Sequence, residues 1–323
     1  RSNSCPQHSF HFSSFCSFHF IRLHPTTNNY CLAFPRRSHL LLSTFSTMVE
    51  QAQPTTTTAS ASTDEKPQLV KSLQDLTIIE HYDRGATKPK ATTFFHITED
   101  EELYFGETAK SKFDTTIEEF NQALERVPDE DVWPEILPGT QLSLAPEGLT
   151  EESAFLKRPE IISFHPGGSN NDMIPRSILR ETLIMEQISR SPHPVFIRYL
   201  GCRVRRDRIT AIWLERHDIT LKDYVETPGF KNLDKGKFMD SIDSAVYHLH
   251  SLGLAHNDIN PSNIMVKDDM LPVLIDFGSC QPFGYNLDSL GTVGWYEKPF
   301  FTSEKEHDTY GLKKLREWIK NPE

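Results

Sequence analysis

The chain has 323 residues, 37% of them hydrophobic and 24% charged, with a formal net charge of −11 and a pI near 5.7. That balance is ordinary for a globular protein and excludes a general nucleic-acid surface, which needs a concentrated basic face. No apolar run approaches the roughly 20 residues of a membrane-spanning helix, and Cys5, Cys16, Cys31, Cys202 and Cys280 include no C-x-x-C pair for zinc or redox work. The expectations are therefore an intracellular, cytoplasmic protein with no nucleic-acid partner and no membrane contact.

Residues 1–47 contain no Asp or Glu, open on Arg1 and precede the first methionine, Met48. They read as sequence outside the native protein or as a mitochondrial presequence, a class that is Arg-bearing, Ser-rich and poor in acids. The polar tract up to Pro67 extends this into a disordered leader, 1–67. A small α/β segment is expected over 68–150. Its strands fall at Ala91–Ile97 and Leu103–Phe105 around the acidic turn Glu99–Glu102. Asp114-Thr115-Thr116 followed by Ile117-Glu118-Glu119-Phe120 predicts a capping box that opens a helix running through Arg126, ahead of Pro128. The prolines at 128, 134, 138 and 146 predict an irregular connection. From about 153 the order is a short strand at Ala154–Lys157, a helix at Ile178–Ile188, strands at Tyr199–Arg205 and Ile209–Leu214, then helices near 221–226 and 234–252. This is an α+β pattern without a repeat.

The last of those helices has apolar residues at helical spacing, Phe238, Ile242, Ala245, Val246, Leu249 and Leu252. It delivers the polar run His256-Asn257-Asp258-Ile259-Asn260-Pro261-Ser262-Asn263. Asp276 follows behind the buried strand Val273–Ile275, within Asp276-Phe277-Gly278. Phosphoryl transfer needs such a set: one carboxylate orients the attacking hydroxyl, while a second carboxylate and an amide oxygen hold Mg²⁺ on the phosphates.

With its spacing, this combination resembles the protein-kinase superfamily pattern H-R-D-x-x-x-x-N followed by D-F-G. The resemblance covers roughly 153–319 and includes Gly291-Thr292 and His307-Asp308-Thr309-Tyr310-Gly311-Leu312. The words Pro192-His193-Pro194 and His256-Asn257-Asp258-Ile259-Asn260-Pro261 are similar to fungal protein-kinase-domain proteins. It implies a two-lobed fold over 151–323, with an N-lobe at 151–217 and a shortened C-lobe at 218–323, since the sequence ends soon after Asp308. By position, Asp258 is the implied base, Asn263 and Asp276 the Mg²⁺ ligands, and His256 and Phe277 the packing between them. Lys157 is the implied phosphate-binding lysine. Glu181 is its partner, chosen over Glu186 because Ile184, Met185 and Ile188 follow it at helical spacing. Leu214 would face the adenine of ATP, with the backbones of Glu215 and His217 as the hinge, and Met185 and Tyr199 would complete an apolar stack with Phe277 and His256.

The departures matter as much. Asn257 stands where the family has an arginine, Asn260 where protein Ser/Thr kinases have a lysine, and no G-x-G-x-x-G precedes Lys157; Gly167-Gly168 reads as a plain turn. The expected function is an ATP- and Mg²⁺-dependent protein Ser/Thr kinase acting on a protein substrate. The alternatives are a pseudokinase that binds partners without chemistry, and a small-molecule phosphotransferase of the aminoglycoside or choline kinase kind.

Overall fold

A computed structural model describes residues 68–322, except Ser163, Ser169, Asn170, Asn171 and Leu290. The leader assigned to 1–67, with its presequence or non-native reading for 1–47, lies outside the described residues. The described residues fall within one compact unit.

The first element group is an antiparallel sheet in the order β1 (Thr77–His81), β2 (Ala91–Ile97), β3 (Leu103–Thr108) and β4 (Glu125–Arg126), with α1 (Ile117–Ala123) between the last two strands. Neighbouring strand residues point to opposite faces, yet Phe94 and Phe95 are both buried. The sheet must therefore be covered on both sides. Phe94 meets Phe120 of α1 edge-on at 4.7 Å, whereas Phe95 joins Leu103, Phe105 and Trp133 on the other face. Asn121 pins the incoming chain, its Oδ1 accepting the Leu69 and Val70 amides at 2.7 and 2.9 Å.

The capping box forms as expected, with the Glu119 amide donating to Thr116 Oγ1 and the Thr116 amide to Glu119 Oε2. The helix does not reach Arg126. Leu124 turns extended (φ −68°, ψ 124°), and Glu125 and Arg126 instead pair with Phe105 and Tyr104 of β3. Sheet hydrogen bonds and the Arg126–Glu102 ion pair at 3.0 Å outweigh the local helical preference there.

The second group carries an antiparallel sheet ordered β5 (Phe155–Lys157), β7 (Arg208–Leu214), β6 (Tyr199–Arg205), with α2 (Met173–Ser189) linking β5 to β6. The helix opens five residues before the expected Ile178, because Pro175 is tolerated in a first turn, where its missing N–H costs no helical bond. The proline-rich connection runs beside this sheet. Pro134 O accepts from Ile209 N at 3.0 Å, and Ala145 N and Cys202 N bond Cys202 O and Ser143 O at 3.0 and 2.8 Å. Glu186 is buried and fixes this strap, accepting from Ser143 N and Oγ at 2.6 and 2.9 Å.

Gly201 makes the strap possible. Its φ is +120°, and a Cβ there would lie 2.5 Å from Ala145 N and 2.6 Å from Leu144 C. Gly201→Ala is therefore expected to destabilise the fold by about 1–3 kcal/mol, the usual cost of overpacking. Denaturant unfolding would read this as a lower midpoint at an unchanged slope.

The helical portion comprises α3 (Leu221–Tyr224), α4 (Lys235–Ser251), the short strands β8 (Leu254–Ala255), β9 (Ile264–Val266), β10 (Pro272–Leu274) and β11 (Gln281–Pro282), and α5 (Lys305–Trp318). Asp234 caps α4 by accepting from Lys237 N at 3.0 Å. All of the expected apolar face is buried except Leu252, which falls just past the helix end. Two antiparallel pairs, β8 with β11 and β9 with β10, present the polar loop 256–263 and Asp276 on adjoining strand ends. Among the described residues, no helix is long and apolar enough to cross a membrane.

Candidate active site

Lys157 ends β5, and its Nζ donates to Glu181 Oε1 at 2.6 Å and to Asp276 Oδ1 at 2.7 Å. The geometry selects Glu181 over Glu186, which is spent on Ser143. Burial penalises the ammonium, but the Asp276 and Glu181 carboxylates overcome it and raise the Lys157 pKa. The ammonium beside Asp276 holds that carboxyl down to about 2 against its burial. Glu181 is more enclosed, and desolvation pushes its pKa up despite Lys157.

Asp276 adopts a left-handed backbone, φ 60° and ψ 76°. For a non-glycine residue this is a sparsely populated conformation that costs of order 1–3 kcal/mol and collects at functional sites. Gly278 lies close beside it: a Cβ there would sit 3.2 Å from Asp276 Oδ1, a few tenths of an ångström inside ordinary contact, and 3.7 Å from Glu181 Oε2.

Asp258 is held from four directions. Thr292 N and Asn260 Nδ2 donate to its Oδ1 at 2.8 and 3.0 Å, and Thr292 Oγ1 and Asn263 Nδ2 donate to its Oδ2, both at 3.0 Å. Asn263 Nδ2 also donates to the Asp258 carbonyl at 2.9 Å, which leaves Oδ1 as the side-chain oxygen available to a cation. Asn260 donates further to Thr292 Oγ1 at 3.0 Å. Thr292 is thus part of the site, a role its sequence position alone did not declare.

Behind the loop, Asp308 is fully buried and accepts from Asn257 N at 2.7 Å, His256 N at 2.9 Å and His250 Nε2 at 2.8 Å. His256 donates from Nε2 to the Ile275 carbonyl at 3.0 Å and lies 5.1 Å from the Phe277 ring. Phe196 also packs edge-on against Phe277, at 5.6 Å. Met185 is buried in the same core, whereas Tyr199 is half-buried at its margin. Asp308→Ala leaves two loop amides buried without acceptors, at about 1–3 kcal/mol each. A loss of about 3 kcal/mol in chemical unfolding is the expected result.

Asn257, φ 65°, uses its side chain as an internal brace: Nδ2 donates to the carbonyls of Ala255 and Ser279 and to Ser303 Oγ at 2.9, 3.0 and 3.0 Å. Arg180, next to Glu181 on α2, donates to Asp288 Oδ2 at 2.5 Å and so ties the helix to the segment after Asp276. Leu214 is buried at the end of β7. The Glu215 amide already donates to Arg198 O at 2.9 Å, so only its carbonyl is left to the hinge role expected of that backbone. Gly168 N closes a turn on His165 O at 2.9 Å, in line with the plain-turn reading. Burial raises the thiol pKa values of Cys202 and Cys280, which suits packing rather than nucleophilic chemistry.

A mixed α+β fold with a lysine–glutamate pair on sheet and helix, and an aspartate–asparagine loop beside a left-handed aspartate, defines a protein-kinase-like domain. Comparison agrees: residues 166–310 match the protein kinase domain, and the chain carries a domain of the protein-kinase-like superfamily. It is 26% identical over 187 residues to a protein of Schizosaccharomyces pombe described as a sensor for unfolded proteins in the ER, ire1, covering 51% of this chain and 16% of that one. It is 33% identical over 135 residues to the human serine/threonine-protein kinase/endoribonuclease IRE2, covering 36% and 14%. A cyclin-dependent kinase 4 homolog of Caenorhabditis elegans is 28% identical over 140 residues, covering 41% and 34%. The chain thus spans about a third or less of the length of these relatives.

Proposed function

We propose that the chain is an ATP- and Mg²⁺-dependent protein kinase that transfers the γ-phosphoryl group to Ser/Thr hydroxyls of a protein substrate, using an N-lobe at 151–217 and a C-lobe at 218–323. The observation that carries this reading is the Lys157 ammonium, bonded to both Glu181 and Asp276 at 2.6 and 2.7 Å. A structural ion pair would not need a third charged partner in a strained left-handed conformation.

In this reading Asp258 accepts the substrate hydroxyl's proton as the oxygen attacks the γ-phosphorus and the bond to the β-phosphate oxygen breaks. Four hydrogen bonds fix its carboxylate beforehand, so little reorganisation is left to the reaction. Lys157, kept charged by its raised pKa, binds the α- and β-phosphates. Asn263 Oδ1 and the second oxygen of Asp276 are hard donors suited to Mg²⁺, which neutralises phosphate charge when bound. Leu214 faces the adenine, and the Glu215 carbonyl and the His217 backbone bond its edge.

Asn260 favours a second reading. Its amide braces Asp258 and Thr292 but brings no positive charge to the transferring phosphate, so a protein that binds nucleotide without turnover is the alternative. Thermal shift with Mg–ATP, run beside transfer of label from γ-labelled ATP, separates the two. A shift with label on protein hydroxyls supports the kinase; a shift with none selects the binding protein.

A further inference from the structure

Residues 68–133 precede the matched span 166–310, and the chemistry above makes no use of them. Their acidic β2–β3 turn nevertheless holds an unusual residue. Glu101 is 1% exposed and left-handed, φ 61°. Burying a carboxylate is costly unless it is paired, and strain of this kind persists only where the surroundings over-determine it.

The pairing partners are what make the residue informative. Glu101 Oε1 lies 2.9 Å from Arg203 Nη1 on β6 and 3.3 Å from Arg158 Nη2. Arg158 directly follows Lys157. Arg206, from the β6–β7 turn, donates to the carbonyls of Asp100 and Glu101 at 2.6 and 3.0 Å and to Asp129 Oδ2 at 2.5 Å. A second contact is apolar and independent of these charges: Phe105 and Trp133 pack with Ile161 and Phe164 of the β5–α2 connection and with Ile174 in the first turn of α2. Phe105 and Phe164 meet edge-on at 5.4 Å.

The N-terminal sheet therefore grips both elements that bring Lys157 to Glu181. We propose that Glu101 is a positioning residue, and that residues 68–133 are a built-in brace that sets β5 and the start of α2 so that the Lys157–Glu181 pair forms without an outside partner. The charged clasp fixes the strand just past Lys157. The aromatic wedge fixes the helix at Ile174, about two turns before Glu181.

The test is amide hydrogen exchange on the full chain, wild type against Glu101→Gln, with transfer kinetics alongside. Exchange over 174–182 is expected to quicken roughly tenfold while α4 is unchanged, as local opening allows, with a several-fold rise in the KM for ATP that Glu101→Asp partly reverses. Equal acceleration in α2 and α4, or none in α2, overturns the proposal. Should Glu101→Gln fail to fold, Arg203→Gln removes one arm of the clasp and is read in the same way. The kinetic arm rests on the kinase reading; the exchange arm does not, so a wild type that transfers nothing contradicts that reading and leaves the brace to be decided by exchange.

Discussion

Asp258→Asn is expected to slow phosphoryl transfer by about 10²–10⁴-fold, the range that a positioned general base supplies. The change keeps the shape and removes the basicity. All four hydrogen bonds on the carboxylate come from donors, Thr292 N and Asn260 Nδ2 on one oxygen, Thr292 Oγ1 and Asn263 Nδ2 on the other. Whichever way an amide is turned, its NH₂ therefore meets two donors. A modest stability loss of about 1–3 kcal/mol accompanies the rate loss. Initial rates at saturating nucleotide, taken well below the variant's melting temperature, separate these effects. A rate near that of the wild type would move the base elsewhere.

Asp276→Asn is expected to cost about 10²–10³-fold in the same assay, the scale of removing one preorganised electrostatic group. Its pH signature is distinct. The native carboxyl titrates at about 2, held there chiefly by the Lys157 ammonium, against an ordinary unfolded value near 3.9. A depressed native pKa stabilises the fold at pH values above the unfolded one, and that stability is lost as pH falls through the native one. The stability difference between wild type and Asp276→Asn should therefore be constant above about pH 5 and shrink towards about pH 2. Glu181, with its pKa raised by burial, moves the other way and opposes ionisation of the site at mild acidity.

Much of this site is local in sequence, and that is why it could be read there. Asp258, Asn263 and Asp276 lie on one helix–loop–strand stretch, where spacing in the chain dictates spacing in space. Glu181 was legible because Ile184, Met185 and Ile188 must face the core, which turns Glu181 towards Lys157. Contacts between distant segments leave no such trace. Phe196 against Phe277, and Glu101 against Arg158 and Arg203, depend on how segments far apart in the chain meet. Thr292 stood in a recognisable Gly291-Thr292 word, yet its double grip on Asp258 needed the fold. The end of α1 was misplaced because strand pairing at Glu125 and Arg126, not helix propensity, decides it. The hinge backbone carries no side-chain signature, and the bond from the Glu215 amide to the Arg198 carbonyl is a pairing between chain segments that only the fold displays.

The most direct test of the proposed phosphoryl-transfer centre is label transfer from γ-labelled ATP with Mg²⁺, offered both protein hydroxyls and small alcohols, with Asp276→Ala as the control. The account predicts label on protein Ser/Thr from the wild type and none above background from the variant. Label on small alcohols alone, or equal label from wild type and variant, would contradict it.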